Sequence, residues 1–341
     1  MSADGPQLLL STSPFLKQRE DTAWLMWQVN YSLLPVVLAA VYFFGLSALL
    51  VTAACTAGAL LPEWLLYRRT PTKTNPLKDG SALITGVLLA LTLPPTTPLW
   101  MAFTGGVAAI VLGKSIFGGI GYSIFNPALV GRAFLQAAFP LAMTTWAPQG
   151  TLRNVVTTHS SNFALPFMKA PVDAVTAATP LARMKFDAEP TALADLLLGT
   201  TAGSLGETCA LLILLCGVYL GLRKVLNWRI PVSIFATVLL FGALLHWLDA
   251  SAYPTPTFHL FSGGMVLGAV FMATDPVTSP LTQRGCWLFG LGIGILVIVI
   301  RTFGGLPEGM MYAILLMNAA TPLINRVTQP RIYGTSKRTS R

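Results

Sequence analysis

Apolar positions run through the chain in ten blocks, about 25–44, 47–66, 80–93, 97–113, 126–143, 206–221, 230–248, 259–273, 285–302 and 309–325. Short polar connections separate them, apart from one long polar interval at 144–205. Runs of this kind predict helices that cross a bilayer, for which a straight span needs about 20 residues. Several blocks fall short of that length. The two shortest end in "LTLPP" and "MATDP", and proline stops a helix. Short, proline-ended blocks predict discontinuous spans that stop partway and meet a second broken helix. Their freed backbone ends must be buried in protein or face a cavity.

Composition agrees with a membrane protein. Of the 341 residues, 54% are hydrophobic and 10% charged, against roughly 25% charged in soluble domains. A net charge of +9 would point to nucleic acid in a soluble protein. Here the basic residues lie between apolar blocks and report topology, so no nucleic-acid partner is expected; the partner is membrane lipid. With the N-terminus placed in the cytoplasm, sixteen of the 22 Lys and Arg residues fall in cytoplasmic intervals. Arg132 lies within a block and Arg301 at the external end of one, beside a short external connection. Arg153, Lys169, Arg183 and Lys185 lie in the long interval, which the positive-inside rule discounts. Both termini are therefore expected inside and the long interval outside. The expected division is a cytoplasmic segment 1–23, a first five-helix repeat 24–143, an external loop 144–205, a second five-helix repeat 206–325 and a basic cytoplasmic tail 326–341. Cys55, Cys209, Cys216 and Cys286 all fall in apolar blocks without a CxxC pair, and read as small apolar residues, with no metal site.

The two halves resemble each other. "GSALITGVLLALTLPPTTP" (80–98) aligns without gaps on "SGGMVLGAVFMATDPVTSP" (262–280). Gly86 meets Gly268, Thr92 meets Thr274, Pro94 meets Pro276, Thr96 meets Thr278 and Pro98 meets Pro280. "FGG" recurs at 117–119 and 303–305. Five spans per half is an odd number, so the second copy enters the bilayer inverted. The expected fold is an all-α polytopic membrane protein, ten transmembrane helices in a 5+5 inverted repeat with broken helices.

Ionisable groups in or at the edges of spans are functional candidates, because a charge in the bilayer is costly. Glu63, Asp79, Lys114, Arg132, Asp275, Arg301 and Glu308 qualify. Glu63 and Lys114 lie near block ends and read as snorkelling side chains. Asp275 sits at the second break, opposite Leu93 in the first, where freed carbonyls and one carboxylate would line a cation path. Arg301 is placed to reach a phosphate or to pair with Glu308. There is no GxGxxG and no P-loop, so nothing points to a nucleotide-driven pump, and no catalytic residues are expected. In the long interval, "VDAVTAATPLARMKF" (172–186) displays hydroxyls among small residues. A threonine is neither a redox group nor an acid. Its hydroxyl is either an attachment point, with room left by Ala177 and Ala178, or part of an inert solvated loop.

Five segments together carry a family resemblance: "NPLKDGSALITGVLLALTLPP" (75–95), "KSIFGGIGYSIFNPALVGRAFL" (114–135), "DAVTAATPLA" (173–182), "GGMVLGAVFMATDPVTSP" (263–280) and "RTFGGLPEGMMYAILLMNAATPLIN" (301–325). In this order they resemble the D-subunit family of the Rnf ferredoxin:NAD oxidoreductase complex. They are also similar to the homologous B subunits of sodium-pumping NADH:quinone oxidoreductase. The resemblance implies a fold similar to urea transporters, in a bacterial inner membrane, with the loop carrying Thr179 in the periplasm. It implies FMN joined through its phosphate to the Thr179 hydroxyl, by a flavin transferase acting on FAD, with Asp173 and Thr176 as attachment-motif residues. Thr176 stands where many members have Ser, and Ala177 where many have Gly; both keep the site small. A second, non-covalent flavin, riboflavin, is implied near "FNPALVGR", with Asn126 and Arg132 as its candidate residues. The implied function is electron transfer within a complex that also holds the A, B, C, E and G subunits of the Rnf type, exchanging electrons with the FMN of the G subunit. Coupling to Na⁺ or H⁺ movement would use Asp275 and Glu308. The quinone-reductase B subunit and a passive urea-type solute channel on the same fold are the alternatives.

Overall fold

The computed structural model describes residues 21–69, 76–147, 158–166, 177–187, 189–207, 209–250 and 253–330. Among these residues every regular element is helical. The first half holds α1 (Thr22–Phe44), α2 (Leu46–Arg69), α3 (Ser81–Leu91), α4 (Leu99–Ile110), α5 (Pro127–Ala138) and α6 (Pro140–Thr144). Two short helices follow in the polar interval, α7 (Pro180–Ala182) and α8 (Leu193–Leu198). The second half holds α9 (Ala210–Leu222), α10 (Arg229–Leu248), α11 (Pro256–Phe261), α12 (Met265–Leu267), α13 (Gln283–Phe303) and α14 (Met310–Thr328). All ten apolar blocks land on helix. Four helices, α1, α2, α10 and α13, are long and apolar enough to cross a membrane.

Local chemistry sets the starts. Asp21 accepts from the Trp24 amide at 2.8 Å, Asn126 from Ala128 at 3.0 Å, and Thr282 from Gly285 at 3.0 Å, so side chains satisfy first-turn donors of α1, α5 and α13. Three blocks differ from the expected single helices. Block 259–273 splits at Ser262–Gly264, where Gly263 adopts φ 63°, and resumes as α12 with a π-helical continuation, Gly268–Met272. Block 126–143 splits before Pro140, which has no amide proton to continue the ladder. In block 206–221 the helix begins only at Ala210.

The halves pack in the same order. In the first, α2 packs on α3 and α4, and α4 on α5; in the second, α10 packs on α11 and α13, and α13 on α14. Small residues permit close crossings in both halves. A Cβ on Gly106 of α4 would lie 2.9 Å from the Ala59 amide of α2. A Cβ on Gly290 of α13 would lie 2.6 Å from Ser233 Cβ of α10. One apolar core, from Leu33 and Val51 through Leu89 to Val297 and Ile314, runs through both halves.

Both broken helices stop where the proline pattern requires, and their freed carbonyls are bonded within protein. After α3, Gly206 N–H donates to Leu91 O at 2.6 Å and Leu205 N–H to Leu93 O at 3.1 Å. Asn162 Nδ2 donates to Pro95 O and Thr97 O, each at 2.9 Å, and Ser161 Oγ to Thr96 O at 2.9 Å. After the α12 segment, Asn126 Nδ2 donates to Met272 O at 3.2 Å and Thr321 Oγ1 to Thr278 O at 3.1 Å. The first break is thus closed from the polar interval and the start of the second half, and the second by Asn126 of the first half and Thr321 of its own.

Candidate functional site

Asp173 and Thr176 lie outside the described residues. Thr179 is placed as the N-cap of α7, its Oγ1 accepting from the Ala182 amide at 3.2 Å. Ala177 N–H donates to Trp146 O at 2.9 Å and fixes the approach to Thr179. Beyond it, Lys185 Nζ donates to the carbonyls of Arg301, Gly304 and Leu306. A cation at a helix C-terminus satisfies carbonyls that lack intrahelical partners, and here it ties this segment to the end of α13. Partial burial holds the Lys185 ammonium below the usual lysine range.

Thr179 is only 3% exposed. It lines a cavity of about 500 Å³ with Trp146, Phe186, Tyr312, Arg132 and Glu308. The polar interval therefore does not hold Thr179 out in solvent. It folds the residue back against α5 and the start of α14. The cavity volume falls within the roughly 300–1,000 Å³ of small-molecule and cofactor sites. Aromatic walls and a guanidinium suit an aromatic, anionic group tethered through the Thr179 oxygen.

Beneath the cavity lies a cluster of four ionisable side chains, two of them, Arg132 and Arg301, buried and two, Glu207 and Glu308, partly buried. Arg132 Nη2 is 2.8 Å from Glu308 Oε2. Arg301 donates from Nη1 to His259 O at 2.5 Å and from Nη2 to Ser262 O at 2.8 Å. The expected Arg301–Glu308 pair is therefore not the one made: Arg301 closes the carbonyl end of α11, and Glu308 pairs across the halves with Arg132. Glu207 is the fourth member, its Oε2 accepting from the Ser204 amide at 3.2 Å. All four line one cavity of about 40 Å³. Glu207 was missed in the sequence, although it satisfies the rule that named the others: an ionisable residue at the edge of an apolar block.

The remaining candidates lie elsewhere. Asp275 and Asn126 line a separate cavity of about 120 Å³, together with Lys114 and Thr274. Asp275 accepts from Val277 N–H at 3.2 Å and Thr278 Oγ1 at 3.3 Å, so it caps the second break. Lys114 is not a snorkelling side chain. Its Nζ is 2.5 Å from Glu63 Oε1 and 2.6 Å from Ser81 Oγ, and both ionic partners are under 10% exposed, at 6% and 7%. A π-helical turn, Val111–Ser115, re-aims Lys114 inward from the end of α4. Asp79 completes the group by accepting from Ser81 Oγ at 2.7 Å. The structure thus separates Asp275 from Glu308, and Asn126 from Arg132, and unites Thr179, Arg132 and Glu308.

Comparison with known proteins covers nearly the whole chain. Residues 9–334 match the model of the NQR2, RnfD, RnfE family. The D subunit of an ion-translocating oxidoreductase complex from Sodalis glossinidius is 40% identical, over 95% of this chain and 98% of its own length. The D subunit of a proton-translocating ferredoxin:NAD(+) oxidoreductase complex from Clostridium ljungdahlii is 39% identical, over 96% of each chain. The D subunit of a Na(+)-translocating ferredoxin:NAD(+) oxidoreductase complex from Acetobacterium woodii is 40% identical, over 97% of this chain and 96% of its own.

Proposed function

The chain belongs to the NQR2, RnfD, RnfE family, and from that premise we propose that it is the membrane electron-carrying D subunit of an ion-translocating ferredoxin:NAD⁺ oxidoreductase. It is a membrane protein and one part of a larger redox complex; it completes no reaction alone. The reading extends to a 5+5 inverted repeat in a bacterial inner membrane, with both termini cytoplasmic and Thr179 periplasmic. The matched packing order of the halves and the distribution of Lys and Arg support this. The partners would be the A, B, C, E and G subunits, with electrons exchanged with the flavin of the G subunit, and a flavin transferase for maturation.

One observation carries the cofactor assignment. The single threonine that the family motif selects, Thr179, lines a cavity of about 500 Å³ with Trp146, Phe186, Tyr312 and the Arg132 guanidinium. These residues fit FMN joined as a phosphoester to Thr179, which when bound supplies an electron carrier. Thr179 is its anchor and takes no part in turnover. The three aromatic side chains wall the site, and Lys185 holds the anchoring segment on α13. A second, non-covalent flavin such as riboflavin stays proposed near Asn126, although the cavity of about 120 Å³ that Asn126 shares with Asp275 is smaller than the roughly 300–1,000 Å³ of cofactor sites, and Arg132 lines the Thr179 cavity. Asp275 and Glu308 remain the proposed ion-path carboxylates. Relatives named for protons and for Na⁺ are equally similar to this chain, so similarity does not choose the coupling ion.

The test is direct. Wild-type chain, denatured and run on a gel, should show flavin fluorescence at its own mass, and Thr179→Val should abolish it. A band that persists in the variant overturns the attachment site.

A further inference from the structure

Arg132 stands at the floor of the Thr179 cavity. Three residues, Arg132, Glu308 and Met311, line both that cavity and the small one beneath it that contains Glu207 and Arg301. They are therefore the partition between the two. Arg132 is 6% exposed. Its Nη2 is engaged by Glu308 at 2.8 Å. Its Nη1 is buried and has no hydrogen-bond partner among the described residues. Buried donors are nearly always bonded, and an orphaned one calls for an explanation. A guanidinium presents its donors in a rigid fork suited to planar, electron-rich acceptors.

We infer that Arg132 is the positioning residue that sets the charge around the redox-active end of a group held on Thr179, with Glu308 opposing it. This rests on the flavin reading above. The phosphoester fixes the phosphate at the Thr179 oxygen, at the start of α7. The cavity that Thr179 and Arg132 both line would hold the ring system, with Arg132 on its wall. A flavin gains negative charge on reduction, so a fixed guanidinium favours the reduced form and a neighbouring carboxylate disfavours it. In a low-dielectric site one such charge outweighs what the same charge does in water. Arg132 and Glu308 thus form an opposed pair, and the flavin potential reports the balance between them. Glu207 lines the same small cavity but not the Thr179 cavity, so it lies behind the partition.

The experiment is a spectroscopic redox titration of the flavin-loaded, full-length chain in detergent. Arg132→Gln should lower the midpoint potential, so that the reduced-to-oxidised ratio at a fixed potential falls about tenfold or more. Glu308→Gln should raise it. Arg132→Lys keeps the charge and should stay closer to wild type than Arg132→Gln. A merely structural role predicts shifts of one sign, or none. An unshifted Arg132→Gln, or the same direction of shift in Arg132→Gln and Glu308→Gln, overturns the inference. If Arg132→Gln takes up no flavin, Glu308→Gln decides alone: a raised potential supports the pair, and an unchanged or lowered one overturns it. The fluorescent band in Thr179→Val is read first. Its persistence overturns the attachment, while its loss followed by an unshifted Arg132→Gln overturns only the role of Arg132.

Discussion

The two broken helices share a sequence pattern and differ in what closes them. The first, ending at Thr92–Pro98, is sealed by side chains from the polar interval: Asn162 bonds Pro95 O and Thr97 O, and Ser161 bonds Thr96 O. The second, ending at Thr274–Pro280, has no such cover among the described residues. It carries Asp275 where the first has Leu93, and Pro276, Val277, Thr278 and Ser279 line a cavity of about 650 Å³. Thr92 and Thr274 do the same work at the aligned position, donating back to Leu89 O at 2.6 Å and to Val270 O at 2.5 Å. The scaffold is therefore repeated while its ends are specialised. One break is a closed structural joint, and the other is a polar mouth with a carboxylate. Broken spans are tolerated only where protein or a cavity receives the backbone, and this chain uses one solution for each half.

The sharpest way to break that contrast is to open the sealed joint. Asn162 is 1% exposed and bonds two buried carbonyls. Asn162→Ala leaves both unsatisfied, at roughly 1–3 kcal/mol each. Asn162→Asp also sets a carboxylate against carbonyl oxygens and should cost more. On the second break, Thr321→Val removes one bond to Thr278 O, and should cost about 1 kcal/mol. Thermal unfolding in detergent ranks the three. If Thr321→Val destabilises as much as Asn162→Ala, the distinction between a sealed and an open break is wrong.

A smaller effect sharpens the same comparison at the aligned glycines. A Cβ on Gly86 would lie 2.6 Å from the Thr56 Cα of α2, a backbone atom. A Cβ on Gly268 would lie 2.6 Å from Met310 Cγ, a side chain. Backbone in a packed helix pair cannot step aside, whereas a methionine can change rotamer. Overpacking typically costs about 1–3 kcal/mol. Gly86→Ala should fall at the upper end of that range and Gly268→Ala at the lower, on the same melting assay.

The sequence exposed the ten apolar blocks and both breaks because hydrophobic runs and prolines are local signals. It exposed Asp275 and Glu308 as charges in the wrong solvent. What it hid is pairing across distance. Arg132 and Glu308 are 176 residues apart, Glu63 and Lys114 are 51 apart, and nothing in composition matches one to the other. Lys114 looked interfacial because a π-helical turn that re-aims a side chain leaves no pattern in hydropathy. Asn162 was invisible for another reason. An amide in a polar interval looks solvated until the carbonyls it serves are placed beside it.

The smallest expected effect concerns the seal itself. His159 begins the turn that carries Ser161 and Asn162, and its backbone N–H donates to Ser47 Oγ at 2.9 Å. Partial burial holds its imidazole below the ordinary histidine pKa. A detached turn would expose the ring and restore the ordinary value of about 6.5. The detached form therefore binds more protons at acid pH, and its stability relative to the docked form rises as pH falls. The seal should be fully docked above the ordinary value and weaken as pH drops through and below it. Amide hydrogen exchange at 158–166, followed from about pH 8 to pH 5 with intrinsic rates divided out, should show protection falling with acidification. His159→Gln should flatten that dependence while leaving protection at the alkaline end unchanged. Protection that is independent of pH in the wild type would mean that the His159 ring does not feel docking and adds nothing to the seal made by Ser161 and Asn162.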